Sequence, residues 1–227
     1  EGIERVAGDV RIQADVEAAV DGVDAVLHAA AQTAVTVSTD DPATDFETNA
    51  VGTFRVLDAV RRTGRRAAVL YCSTNKVYGD RVNLVPIREA GRRYSFAPDH
   101  AAGIGEDFGV DLCEHTPYGC SKLTGDLYVQ DFGHLYGLKV GVFRMSCIYG
   151  THQFGMEDQG WVAWFVIAAL RGAPLTIFGD GKQVRDVLWV EDLVRAYEAF
   201  LERGPAIAVY NMGGGPEFTL SLLELLE

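Results

Sequence analysis

Tyr118 and Lys122 stand four positions apart in the run Thr116-Pro117-Tyr118-Gly119-Cys120-Ser121-Lys122. On a helix that spacing places both on one face, so an ammonium can sit beside a phenol, lower its pKa and let it take a proton from an alcohol near neutral pH. Upstream, Arg66-Ala67-Ala68-Val69-Leu70-Tyr71-Cys72 reads as a buried strand ending in Ser73-Thr74. That puts a hydroxyl at a strand's carboxyl end, where open α/β sheets bind ligands. A lone Tyr-x-x-x-Lys is an ordinary pair of helix neighbours. Joined to Thr74 it becomes a candidate unit for moving a proton on and off a hydroxyl group.

With Gly8-Asp9-Val10-Arg11, His28-Ala29-Ala30-Ala31-Gln32, Asn49-Ala50-Val51-Gly52-Thr53, Phe143 to Gly150, Gly179 to Asp186 and Tyr210 to Gly215 added in order, the chain resembles the extended short-chain dehydrogenase/reductase family from end to end. These are NAD-dependent sugar-nucleotide epimerases and dehydratases. The resemblance implies a Rossmann-type, doubly wound parallel α/β sheet with a smaller C-terminal substrate lobe. It implies NAD as cofactor, a nucleotide-diphosphate sugar as substrate, and a homodimer paired through the long helices 43–62 and 116–136. Residues 1–144, rejoined by about 186–212, would form the NAD-binding domain, and 145–185 with 213–227 the substrate lobe.

The resemblance also assigns roles. Thr74 would hydrogen-bond the reacting sugar hydroxyl, Tyr118 would act as base and then acid, and Lys122 would hold the nicotinamide ribose while lowering the Tyr118 pKa. Asp9 would accept the adenine amino group, the alternative being a turn or capping role, and Val10 would pack near the base. Ala29, Ala30 and Gln32 would line the ribose and pyrophosphate, Asn49 would brace the loop carrying them, and Ser146 would pass under the nicotinamide. Arg185 is the candidate for the substrate diphosphate, since a guanidinium matches phosphate oxygens in a fork; the alternative is a salt bridge to Asp186. Asn75, Gln153 and Phe178 are candidates for the sugar and base pocket.

The residues after Thr74 separate the family's branches. The 4,6-dehydratases carry an Asp-Glu pair there, and this chain has Asn75-Lys76. An amide and an ammonium cannot replace a matched acid and base, so dehydration is not expected. Ser73 to Asp80, Val129 to Gly133 and Gly181 to Asp186 most resemble the CDP-paratose 2-epimerase branch. A UDP-sugar 4-epimerase and a non-catalytic NAD-binding regulatory protein are the alternatives, and the second typically lacks the Tyr and Lys.

Positioning these residues needs alternating strands and helices, hence a mostly parallel sheet covered on both faces. The pattern predicts strands at 3–7, 24–29, 69–73, 139–144, 175–178, 184–190 and 208–210. Helices are predicted at 14–20, 43–62, from 116 to about 136, 161–171, 191–203 and from 220. Residues 80–114 lack periodicity and read as a flap beside the site. The glycine-rich loop that holds a pyrophosphate in dinucleotide folds does not precede Ile3, so the expectation is a piece of a longer enzyme.

The formal charge of −12 disfavours nucleic acid and anionic membrane as partners. The widely spaced Cys72, Cys113, Cys120 and Cys147 read as reduced thiols, which points to the cytoplasm. The five histidines show no paired spacing, so no metal is expected.

Overall fold

The structure, a computed structural model, describes residues 2–227. In chain order it begins with α1 (Gln13–Val20), β1 (Ala25–His28), α2 (Val35–Asp40), α3 (Pro42–Phe46), a π-helical turn at Glu47–Val51, and α4 (Gly52–Arg62). Next come β2 (Ala68–Thr74), a 3₁₀ segment at Asn75–Leu84, β3 (Ile87–Ala90), β4 (Arg93–Phe96), α5 (Thr116–Tyr136) and β5 (Val140–Met145). The last third holds β6 (Cys147–Tyr149), α6 (Trp161–Arg171), β7 (Val184–Trp189), α7 (Val190–Arg203), β8 (Ile207–Met212), β9 (Thr219–Ser221) and α8 (Leu222–Leu225).

Strands β1, β2, β5 and β8 form one sheet in that order, every pairing parallel. Both faces are covered, as a parallel sheet requires. Val69, Tyr71, Val140 and Val142 pack with Val56, Leu57 and Val60 of α4 and with Val129 and Phe132 of α5. On the other face, Ala68, Leu70 and Phe143 meet Leu193, Tyr197 and Phe200 of α7. Each fully buried aliphatic side chain contributes about 1.5–3 kcal/mol. The i, i+3, i+4, i+7 spacing of Thr53, Val56, Leu57 and Val60 makes one buried stripe on α4. Gly64, at φ +66°, closes that helix in the left-handed conformation that glycine adopts without strain.

The register brings polar residues together at the sheet's carboxyl edge. Ser73 lies beside Arg144, and Arg144 beside Asn211. A second sheet, β6-β7-β9, stands past that edge, with β6 and β7 parallel and β9 antiparallel to β7. The expected domain seam at 185/186 falls inside β7.

Four expectations change. Residues 3–7 are coil, with Ile3 90% and Val6 74% exposed; a strand needs a hydrogen-bonded neighbour, and none of the described strands lies beside them. Residues 175–178 are also irregular, because the Gln183 side-chain amide, rather than a backbone ladder, binds the Phe178 carbonyl at 3.1 Å. Residues 80–114 are not an unstructured flap. They include the antiparallel hairpin β3–β4, turned at Gly91 (φ +65°) and Arg92. That hairpin docks on the small sheet, where Arg93 donates to the Thr219 carbonyl and pairs with Glu224, and Tyr94 donates to Asp180 at 2.7 Å. The helix expected over 43–62 is α3 and α4 joined by the π turn, and the short α2 before it escaped the sequence pattern.

Candidate active site

Thr74 ends β2 and Tyr118 lies in the first turn of α5. The Thr74 hydroxyl pulls the Tyr118 pKa down against burial, while its own hydrogen bonds are to Asn75 Oδ1 at 3.5 Å and from the Lys76 N–H at 3.3 Å. The first turn of a helix leaves backbone N–H groups without intrahelical partners. The Tyr118 N–H instead donates to Ser38 Oγ at 3.1 Å, and Ser38, fully buried on α2, donates in turn to the Val35 carbonyl. Ser121 Oγ donates to the Tyr118 carbonyl at 3.1 Å. The phenol is therefore aimed by α2 as much as by its own helix.

Lys122 is buried, and its Nζ stands 4.3 Å from the centroid of the Tyr71 ring. Burial lowers its pKa to about 8. The Tyr71 hydroxyl donates to the Lys122 carbonyl at 3.2 Å. Helix α5 approaches β2 closely here: a Cβ on Gly125 would lie 2.4 Å from the Tyr71 hydroxyl oxygen. The expectation that Lys122 lowers the Tyr118 pKa is corrected. The ammonium lies over Tyr71 instead, and burial raises the Tyr118 phenol, with the Thr74 hydroxyl pulling it back and Asp45 and Cys72 adding to the rise.

Asn49 stands in the π turn. Its Oδ1 accepts from the Gln32 N–H at 2.9 Å, and its Nδ2 reaches the Gln32 carbonyl at 3.0 Å, Asp45 Oδ1 at 3.0 Å and Ser121 Oγ at 3.1 Å. This ties the loop after β1 to α5. The Gln32 side chain folds into that same loop, donating to the Ala34 carbonyl and to Asp45 Oδ1. Ala29 and Ala30 are exposed at the loop's outer surface.

Asp9 borders a groove of about 400 Å³ with Arg11, Ile12, Ala43, Thr44 and Glu47. Hydrogen bonds from Arg11, the shortest 2.6 Å, hold its carboxyl at about 2. Val10 turns inward, packing on the core and against Gly52, where a Cβ would lie 3.0 Å from a Val10 methyl.

The remaining candidates are not gathered with Tyr118 and Lys122. Asn75 is exposed directly after Thr74. Ser146 is spent structurally, its Oγ donating to the Asp186 carbonyl at 2.7 Å. Gln153 braces its own loop through the Ile148 carbonyl. Phe178 is 72% exposed. Arg185 is exposed and donates only to the carbonyl of Val184. The alternative partner, Asp186, accepts from the Gly214 N–H at 2.7 Å instead, and among the described residues Arg185 forms no ion pair.

The sequence reading missed a buried polar network at the same edge. Asp126 of α5 takes a two-pronged bond from Arg144 at 2.9 and 3.0 Å, one from Ser73 at 2.7 Å and one from Gln130 at 2.7 Å. Arg144 also donates to the Tyr78 hydroxyl at 3.0 Å and the Glu106 carbonyl at 3.2 Å. Tyr78 donates to Asn211 at 2.7 Å, and Asn211 holds the Ile104 carbonyl at 2.7 Å. The network fastens the 80–114 segment to the ends of β2, β5 and β8.

Among the described residues there is no cluster of metal-binding side chains and no helix long and apolar enough to cross a membrane.

Comparison with known proteins agrees with this geometry. Residues 1–213 match the NAD dependent epimerase/dehydratase family. The chain is 41% identical to CDP-paratose 2-epimerase of Salmonella typhi, covering 99% of this chain and 68% of that protein. It is 33% identical to a dTDP-glucose 4,6-dehydratase of Streptomyces antibioticus, covering 94% of this chain and 57% of that one. Its fold matches the UDP-glucose 4-epimerase of Thermus thermophilus, solved with NAD, at TM-score 0.77 and 30% identity over 96% of this chain and 65% of that structure. The chain thus spans about two thirds or less of the proteins it resembles. With a parallel sheet, and Thr74, Tyr118 and Lys122 gathered at its carboxyl edge, the chain belongs to the NAD dependent epimerase/dehydratase family.

Proposed function

We propose that the protein epimerises a nucleotide-diphosphate sugar at C2 of a CDP-hexose, by transient oxidation to a keto sugar and return of the hydride to the other face. The observation that carries the reading is the placing of Thr74 at the carboxyl end of β2 and of Tyr118 in the first turn of α5, which packs on that strand, with a buried ammonium one helical turn further along α5. Asn75 and Lys76 favour epimerisation over dehydration, since neither can supply a carboxylic acid or its conjugate base. The 41% identical relative is named for the C2 reaction on a CDP sugar.

The residues fit NAD. Lys122 is a buried cation with no carboxylate within ion-pair distance among the described residues, so its N–H groups remain for ribose hydroxyls. Ala29 and Ala30 leave the backbone after β1 open to close approach, and the groove at Asp9 lies beyond the same loop. When bound, NAD supplies a two-electron acceptor that takes a hydride from carbon and gives it back. Tyr118 takes the proton of the oxidised hydroxyl and later returns it, while the Thr74 hydroxyl orients the same oxygen. Arg185, with Lys76 nearby, holds the diphosphate.

Pairing as a homodimer through the outer faces of α4 and α5 is supported by the exposure of Phe54, Leu127, Tyr128, Leu135 and Tyr136. The free, widely spaced cysteines favour the cytoplasm.

Turnover of CDP-, UDP-, GDP- and dTDP-sugars by the enzyme tests the substrate assignment. Preference for a CDP-hexose with inversion at C2 is the expected result. Inversion at C4 of a UDP-sugar would replace this assignment with that of a 4-epimerase.

A further inference from the structure

Thr74 and Tyr118 lie on separate stretches of chain, so the start of α5 must be fixed against the end of β2. The chain leaving Thr74 enters the 3₁₀ segment, and the chain arriving at Tyr118 comes through residues 113–117. These two stretches are pressed together. A Cβ on Gly119 would lie 3.0 Å from the Lys76 carbonyl oxygen, and one on Gly79 would lie 2.5 Å from the Glu114 carbonyl oxygen and 2.8 Å from Cys113 Sγ. The Asp80 N–H donates to the Glu114 carbonyl at 2.8 Å, and the Glu114 N–H to Asp80 Oδ1 at 3.2 Å. The turn that then launches α5 is strained. Thr116 is β-branched and has φ +62°, a conformation such a residue takes only where its surroundings hold it.

His115, the residue before that turn, reaches across to the other stretch. Nε2 of its half-buried ring stands 2.9 Å from the Val77 carbonyl, and Nδ1 stands 3.0 Å from the Cys113 carbonyl in its own turn. Cys113 Sγ, 3.6 Å from Nε2, donates to the Tyr78 carbonyl at 3.5 Å and so lies alongside the same crossing. Val77 is three positions past Thr74, and His115 is three positions before Tyr118. The bonds between Asp80 and Glu114 lie farther along the chain from both. We propose that His115 is a positioning residue for the reaction: through the bond from its Nε2–H to the Val77 carbonyl it fixes the strained Thr116 turn, and with it the place of the Tyr118 phenol, against the carboxyl end of β2. A carbonyl only accepts, so the bond requires the ring's proton on Nε2.

The proposal rests on the functional reading above, since it concerns the placing of that reading's base, but one of its two tests needs no sugar. Glutamine and asparagine replace the two ring nitrogens separately. The amide of His115→Gln reaches the Nε2 position and the Val77 carbonyl, whereas that of His115→Asn reaches only the Nδ1 position and the Cys113 carbonyl. In NAD-loaded enzyme acting on its nucleotide sugar, His115→Gln is expected to keep kcat within about threefold of the parent. His115→Asn is expected to lower kcat about 10- to 100-fold with KM and NAD content little changed, the scale of a reacting group misplaced by up to about 1 Å. Equal kcat in the two variants overturns the proposal, as does a loss that follows only the fraction unfolded at the assay temperature. Nitrogen-15 spectra of histidine-labelled, NAD-loaded parent enzyme give the second reading, with no variant that must fold. A proton bonded to His115 Nε2 is expected, and an Nε2 without one overturns the proposal. Should the parent turn over no nucleotide sugar, the functional reading fails, and the spectrum still decides the bond to Val77 on which the proposal depends.

Discussion

Tyr118→Phe is expected to lower turnover about 10²- to 10⁴-fold while NAD stays bound, the range that a positioned acid–base group contributes. The substitution removes the titrating hydroxyl and keeps the ring. The backbone bonds that aim the residue are untouched, because Ser38 binds the Tyr118 N–H and Ser121 the Tyr118 carbonyl. Steady-state kinetics and the NAD content of the purified variant check both halves of the expectation. Turnover within a few-fold of the unmodified enzyme would remove Tyr118 from the role of base.

The second large effect is on stability. Arg144→Met leaves Asp126 buried with only Ser73 and Gln130 as donors, and breaking a buried pair from one side costs about 3–5 kcal/mol. For a chain of this size that amounts to a fall in Tm of roughly 6–20 °C. Thermal unfolding followed by circular dichroism reads it. Adding Asp126→Leu to Arg144→Met is expected to restore more than half of the loss, since the uncompensated charge goes with it. A single variant as stable as the parent would mean that the pair does not hold the sheet edge.

What could be read from sequence depended on how local the cause was. Tyr118 and Lys122 were legible because helical spacing sets which residues share a face. Thr74 was legible because an apolar run announces where its strand ends. Asn49 in mid-helix was legible because a buried amide must find partners. The Asp126–Arg144 pair was not, since its members lie 18 positions apart and are charged types that usually remain in solvent. Only the parallel register that sets Ser73, Arg144 and Asn211 side by side makes the network visible.

Other misses share that origin. Helix α2 is six residues long and polar enough to read as a connection, yet it supplies Ser38 to the Tyr118 amide. The β3–β4 hairpin carries no buried stripe, and its one local signal was glycine at the first position of a two-residue turn. The rotamer that sends the Lys122 ammonium over Tyr71 instead of Tyr118 is a packing outcome, and helical spacing permits both. Residues 3–7 had the composition of a strand, but a strand is a property of two segments.

Hydride transfer is the central claim, and the fate of one hydrogen tests it. Inversion by deprotonation needs a carbonyl beside the carbon and exchanges its hydrogen with water. Transient oxidation keeps that hydrogen as a hydride out of contact with solvent, and the proposed base, Tyr118, would move only the hydroxyl proton. Epimerisation of the nucleotide sugar run in heavy water, with the product examined by NMR and mass spectrometry, is predicted to leave the inverted carbon free of deuterium and NAD neither consumed nor released. Deuterium at that carbon would contradict the account.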